Sequence, residues 1–277
     1  MPNRKFLSVA VLSGLLAAGC GGSPGAATSS SSTTSSELTT TTTTTSTTTT
    51  TQPGIVPAVG LKTYVTSVNS PSLVANISYP VLGGMASSQI QASINSSVYK
   101  AVEDYVSSFE TELESANLTP VPGSAGGGAS SSEISGSFTK ELVDSRYASF
   151  RFLISTAASG AASPTTEAES LTFDLNSGRL LSLSDLFSSS NYLSTLSSLA
   201  KSAITAKLGQ NADQAFINNG AQPNAANFAS WNLTGTEFEL TFSQGQVAPM
   251  ASGVVTVLVP YSALSGIAKN PGPLTNP

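Results

Sequence analysis

The chain of 277 residues contains no histidine, one cysteine and one tryptophan. Without histidine, a serine nucleophile lacks its usual general base and zinc its commonest nitrogen ligand, so a Ser-His-Asp hydrolase within one chain is excluded. One cysteine cannot close an internal disulfide, and stability must come from a packed core. Charge is also scarce: Lys and Arg number 11 against 16 Asp and Glu, for a formal net charge of -5. A basic stripe for nucleic acid and a polybasic patch for anionic lipid are both missing, so nucleic acid is not an expected partner. Nor does a glycine-rich phosphate loop follow a strand, or a calcium loop occur; no cofactor and no metal is expected.

What is present begins with Arg4 and Lys5, followed by an uncharged run from Phe6 to Ala18 that closes on small residues. This is the pattern of a signal peptide. The run is too short to span a bilayer, reaching roughly 20 Å as a helix against a hydrocarbon core of ~30 Å. It ends in Ala17-Ala18-Gly19-Cys20, which resembles the bacterial lipobox, with Ala17 where leucine is commoner. The resemblance implies cleavage before Cys20 and diacylglycerol on its thiol, an anchor in the membrane. From Thr28 to Thr51 every residue except Glu37 and Leu38 is serine or threonine. Such a segment has too little apolar surface to offset chain entropy, so a disordered tether is expected, bare or O-glycosylated.

The remainder patterns as a folded domain. Residues 61–68 and 73–79 are β-rich runs around the turn signal Asn69-Ser70-Pro71, which predicts a hairpin. Ile90, Ile94, Val98, Val102, Tyr105, Phe109 and Leu113 recur at helical spacing, with Glu103, Glu110 and Glu114 on the other side. After a Gly/Ser-rich loop over 120–132, residues 133–143 and 147–156 alternate as half-buried antiparallel strands; Ile134, Phe138 and Leu142 share one expected face. Leu171, Phe173 and Leu175 alternate again before the Asn176-Ser177-Gly178 turn. A helix is expected from Leu193 to Leu208 with Gly209 as its stop, followed by a strand around Phe238, Leu240 and Phe242. Residues 254–259 are apolar enough to lie inside a sheet. Strands and helices fall in blocks, which predicts an α+β fold.

Two stretches carry a family likeness: "LTFDLNSGRLLSLSDLF", residues 171–187, and "FELTFSQGQVAPMASGVVTVLVPYSAL", residues 238–264. Each has a strand, a glycine turn and a fixed exit, Asp-Leu-Phe in the first and Pro-Tyr in the second. They resemble the RsiV-like extracellular domain family, which includes lysozyme-sensing anti-sigma factors, a secreted mycobacterial immunogenic protein and accessory domains of peptidoglycan deacetylases. The likeness spans residues 59–269. It divides the chain into a signal peptide (1–19), a lipidated N-terminus with its linker (20–58), the domain (59–269) and a disordered tail (270–277). It implies a mainly antiparallel sheet with helices packed on one face. An anti-sigma role is not expected, because only five residues precede the hydrophobic run. Many relatives carry a histidine where this chain has Ser163, in the loop that begins at Gly160. Any role of that histidine is therefore not carried over; Gly160 and Ser163, with Val247, Pro249 and Gly253 and with residues 81–88, are the candidate partner-binding loops.

Candidate catalytic groups are few. Ser-x-x-Lys occurs at Ser137 and Lys140 and at Ser198 and Lys201, but each sits on a regular element and no Lys-Thr-Gly partner exists. Glu237 and Glu239 share one strand face at about 7 Å, a spacing that suits a carboxylate pair but equally a solvated outer face. Phe228 and Trp231 read as core anchors and Asp174 as a turn former. The expectation is a membrane-anchored lipoprotein whose domain is a non-catalytic binding module in the envelope, its ligand a lysozyme-like protein or a wall component. Net acidity suits a basic lysozyme. An envelope hydrolase, either an esterase or a carbohydrate-active enzyme, and a structural spacer or surface antigen are the alternatives.

Overall fold

Alternation and helical spacing translate into two sheets, each with helices on one face. The computed structural model describes residues 54–116 and 131–275; Cys20 and the Ser/Thr-rich segment lie outside the described residues. Strands β1 (Ala58–Asn69) and β2 (Ser72–Gly83) form the hairpin, with Asn69 opposite Ser72. Helix α1 (Ser88–Ser115) follows, its N-terminus capped by the Ser87 side chain, which accepts from the Ile90 amide. Strand β3 (Ser132–Val143) then lies parallel to β2. A parallel neighbour needs a crossover, and α1 supplies it. Strands β4 (Tyr147–Ala157) and β5 (Thr165–Asp174) continue antiparallel, completing a five-stranded sheet in the order β1-β2-β3-β4-β5. The stripe Ile94, Val98, Val102, Phe109 of α1 packs on Ile77, Phe150, Phe152, Leu171 and Phe173, all buried.

The second half forms its own core. Helix α2 (Tyr192–Leu208) ends at Gly209, whose φ of 55° is the left-handed value a side chain would disfavour. A short helix α3 (Gln214–Gly220), not signalled by any apolar repeat, is set by Asp213, whose side chain accepts from the amides of Ala215 and Phe216. Strands β6 (Trp231–Leu233), β7 (Glu237–Phe242) and β8 (Val255–Pro260) make a three-stranded antiparallel sheet with β7 central, and the four-residue helix α4 (Tyr261–Leu264) follows. Phe238, Leu240 and Phe242 meet Leu196, Ala200 and Ile204 of α2, with Phe228 and Trp231 buried beside them as expected.

The other face of β7 looks toward the larger sheet. There Ser149, Arg151 and Ser170, opposite the α1 face of β4 and β5, contact Ser230, Asn232, Glu239 and Thr256, and Thr172 bonds Ser149 beside them. The order is therefore α1, five-stranded sheet, three-stranded sheet, α2.

Four expectations change. A register shift between Lys140 and Leu142 inserts one extra residue, so Leu142 leaves the face of Ile134 and Phe138 and packs in the second core. The run 254–259 lies at the edge of its sheet, and Leu258 is 47% exposed. The chain past Lys269 is no free tail as far as Thr275, because Leu274 is buried in the second core. Glu239 does not lie on a solvated outer face: it is buried between the sheets.

Candidate functional site

The two stretches that carry the family likeness are built as structural locks. Asp174 ends β5 and its Oδ1 accepts from the amides of Asn176 and Ser177, while Gly178 takes a φ of 75° to complete the turn. Beyond it, the Asp185 carboxylate accepts from the amide and hydroxyl of Ser182, each at 2.7 Å, and from Arg179. Partial burial alone would raise its pKa, but these donors together hold it below the ordinary value. Leu186 and Phe187 of the Asp-Leu-Phe exit are core residues. In the second stretch the Tyr261 hydroxyl donates to the carbonyl of Thr234 at 2.7 Å and accepts from its amide at 3.1 Å, pinning the β6–β7 turn. Burial pushes Tyr261 up to about 12 against the effect of that hydrogen bond.

Glu239 belongs to a charged cluster between the sheets. The guanidinium of Arg151 stands 2.9 Å from Glu141 and 3.3 Å from Glu239, and donates to Thr256 at 3.1 Å. Alternation through Ser137 and Thr139 already puts Glu141 on this face, and the extra residue in β3 brings Leu142 to it as well. Burial raises the pKa of Glu239; Arg151 opposes that rise and Glu141 adds to it. With 8% of its side chain exposed and a guanidinium against it, Glu239 is a structural member of the layer between the sheets. Glu237 is half-buried at the start of β7 and is not part of the cluster. The serine candidates fare no better: three positions apart on a strand, Ser137 and Lys140 point to opposite faces, and the Ser198 hydroxyl donates to the carbonyl of Ser194. Among the described residues, no group of three or more acidic or cysteine side chains is placed to hold a metal ion.

The expected partner loops are divided between the two ends of the stacked sheets. Gly160 and Ser163 are exposed, as is Pro249, while Gly253 is half-buried and Val247 is fully buried. Val247 thus fixes its loop from within. Gln244 connects the two chain segments: its side chain accepts from the Thr166 amide and donates to the carbonyl of Met250. Residues 81–88 lie at the opposite end, where β2 runs out.

At that end is a groove of about 450 Å³ lined by Lys62, Tyr79, Val81, Leu82, Asn95 and Tyr99, with Ser96 at its rim. Tyr99 of α1 stands 5.8 Å from Tyr64 and 6.0 Å from Tyr79, ring centre to ring centre, so three tyrosines from β1, β2 and α1 converge. Asn95 fixes the wall, accepting from the amide of Leu82 and donating to its carbonyl. Burial, followed by the neighbouring Tyr99, raises the pKa of Tyr64 and of Tyr79; Glu103 and Glu110 add to the rise at Tyr64. Their hydroxyls therefore remain protonated donors at neutral pH. Tyr99 is 41% exposed, so part of the cluster is presented to solvent. A second, more open depression of about 460 Å³ lies on the face of the large sheet away from α1, among Asn76, Ser135, Ser137, Leu153, Ser155 and Thr166, and has no aromatic wall.

Residues 184–262 match the family model described as a protein of unknown function, DUF3298. A crystal structure of a DUF3298 member from Bacteroides fragilis is similar at a TM-score of 0.55 and 16% identity, over 78% of this chain and 95% of that one. A DUF3298 structure from Pseudomonas aeruginosa gives 0.48 at 15% identity, over 80% and 97%. No curated protein matches. The Bacteroides likeness supports a shared fold. The DUF3298 match takes in the Asp185 lock, α2, the three-stranded sheet and Tyr261, whereas every residue lining the tyrosine groove lies outside it. Sequence reasoning missed the groove and also missed Arg151 and Glu141. Tyr64 and Tyr79 carry the same alternation as their apolar neighbours, and Tyr99 stands one place beyond the core position Val98, so only a helix crossing the hairpin brings the three together.

Proposed function

We propose that this is an exported protein, anchored through lipid on Cys20 to the outer face of the cell membrane, whose domain is a non-catalytic binding module that takes a wall glycan in the tyrosine groove. The observation that carries the ligand class is the convergence of Tyr64, Tyr79 and Tyr99 beside Lys62. Tyr64 and Tyr99, partly exposed over the buried Tyr79, offer flat stacking area at low entropic cost together with hydroxyl donors. Lys62 provides a cation for an acidic substituent on the sugar. The groove's volume is that of an ordinary small-ligand site. The anchor rests on the lipobox at residues 17–20 and the run before it. Burial of Glu239 against Arg151 weighs against the hydrolase alternative.

The test is calorimetric titration of the full chain carrying Cys20→Ala with muropeptides and acidic wall glycans. Tyr99→Ala should weaken saturable binding by about tenfold, as expected where a partly exposed aromatic anchors a ligand, and Lys62→Ala should weaken only the acidic ligands. Binding that ignores Tyr99→Ala, or no saturable glycan at all, would overturn the assignment. The acidic balance favours a second reading, a basic lysozyme-like protein as partner. That complex would weaken steeply with added salt and be indifferent to Tyr99→Ala.

A further inference from the structure

Strand β1 is the outermost strand of the five-stranded sheet. It runs for 12 residues, longer than most strands. Natural edge strands are usually guarded by brevity, proline, bulges or several charges. This one has none of them: it contains no proline, pairs with β2 without a register shift, and has Lys62 as its single charged residue. Two of its outward side chains are large and apolar, Leu61 at 64% and Val65 at 69% exposed, on either side of Thr63.

The spacing of these residues fits a copy of itself. About a two-fold axis at Thr63, antiparallel pairing sets Leu61 against Val65 of the second copy, and the reverse, on the face away from α1. On the α1 face Lys62 lies opposite Tyr64 of the second copy, an ammonium beside an aromatic ring. Thr63 meets Thr63. Moving the axis to Lys62 would set two ammonium groups opposite one another, which is repulsive; moving it to Val65 would set Leu61 against Asn69. We propose that β1 is a homodimer interface in which two copies pair edge to edge with Thr63 on the axis, giving one continuous ten-stranded sheet from two five-stranded ones. The axis brings the two tyrosine grooves to the same side of that sheet, so a long polymer can engage both.

Single-cysteine cross-linking of the full chain carrying Cys20→Ala tests the pairing, since Cys20 is the only native thiol. In the proposed register, thiols introduced at position 63 of the two copies fall within disulfide reach, whereas residues 58 of the two copies are roughly 33 Å apart. Under mild oxidation Thr63→Cys should form dimers at least about tenfold faster than Ala58→Cys, an equally exposed position on the same edge, because only the first pair meets disulfide geometry. Adding Val65→Lys, a change at an exposed side chain, should slow the Thr63→Cys reaction by a similar factor, because an ammonium then replaces the apolar partner of Leu61 in the second copy. Equal rates at positions 58 and 63 would overturn the proposal, as would a Thr63→Cys rate that Val65→Lys leaves unchanged in a chain with native circular dichroism.

Discussion

Replacing Arg151 by alanine puts the layer between the two sheets to the test. Arg151 is the cation between Glu141 and Glu239, at 2.9 and 3.3 Å, and the three side chains are 18%, 13% and 8% exposed respectively. Removing one partner from a buried ion pair costs about 3–5 kcal/mol, because the other charge is stranded in a poor solvent. Here one cation serves two anions, so the loss should fall in the upper part of that range. For a domain of this size each kcal/mol moves the melting temperature by about 2–4 °C, so Arg151→Ala should melt about 10–15 °C below the parent at pH 7.5.

The pH dependence gives the sharper test. Glu239 already has a pKa above the ordinary glutamate value of 4.5, chiefly through burial. Without Arg151 the opposing influence is gone, and burial together with the Glu141 charge raises the Glu239 pKa further. A carboxyl whose folded pKa lies above its unfolded one adds stability that is complete below the unfolded value and is lost as pH rises through the folded value. The deficit of Arg151→Ala should therefore be largest at pH 7–8 and shrink steadily as pH falls toward about 4.5, with Glu239→Gln in the same chain restoring part of it at neutral pH. Urea and thermal melts across that pH range are the assay. A deficit below about 1 kcal/mol at pH 7.5, or one that does not change with pH, would refute the buried-triad account.

Other perturbations follow from single contacts. Tyr261→Phe removes the hydroxyl that bonds the Thr234 carbonyl and should cost about 1–3 kcal/mol in a urea melt, with the secondary structure unchanged. Gly220→Ala places a methyl group against the carbonyl of Gln246, whose side chain also bonds the Gly220 carbonyl; backbone must move, and a loss of about 1–3 kcal/mol with weakened protection of α3 in hydrogen exchange is expected. Asp185 has its pKa held below the usual value, so its contribution is complete above that value and is lost as pH falls through the folded one; the gap between wild type and Asp185→Asn should close on acidification below about pH 4. Metabolic labelling with a fatty acid should mark the wild type and not Cys20→Ala, and equal labelling of both would sink the lipid anchor.

Legibility divided along a physical line. Elements whose side chains meet one homogeneous core were readable, because a period of two or of 3.6 is a direct record of one buried face: the α1 stripe and the alternation through Phe150, Phe152, Leu171 and Phe173 were both found this way. Glu239 was misread for the same reason. Its strand buries both faces, but the second face is packed against a polar layer of serines, threonines, Asn232 and Arg151, and in sequence such a layer is indistinguishable from solvent. The extra residue in β3 hid Leu142 likewise, since no glycine or proline announces it. Buried polar layers cost desolvation unless their partners are met, and this one is met largely through hydroxyls bonded to hydroxyls and amides. That requirement gives the polar layer a role an oily interface would not have. Two apolar sheets slide past each other at little cost, whereas Asn232 can satisfy Ser149 and Ser170 together in one alignment. The same alignment places Thr256 of β8, inside the stretch matched by the DUF3298 family model, beside Arg151.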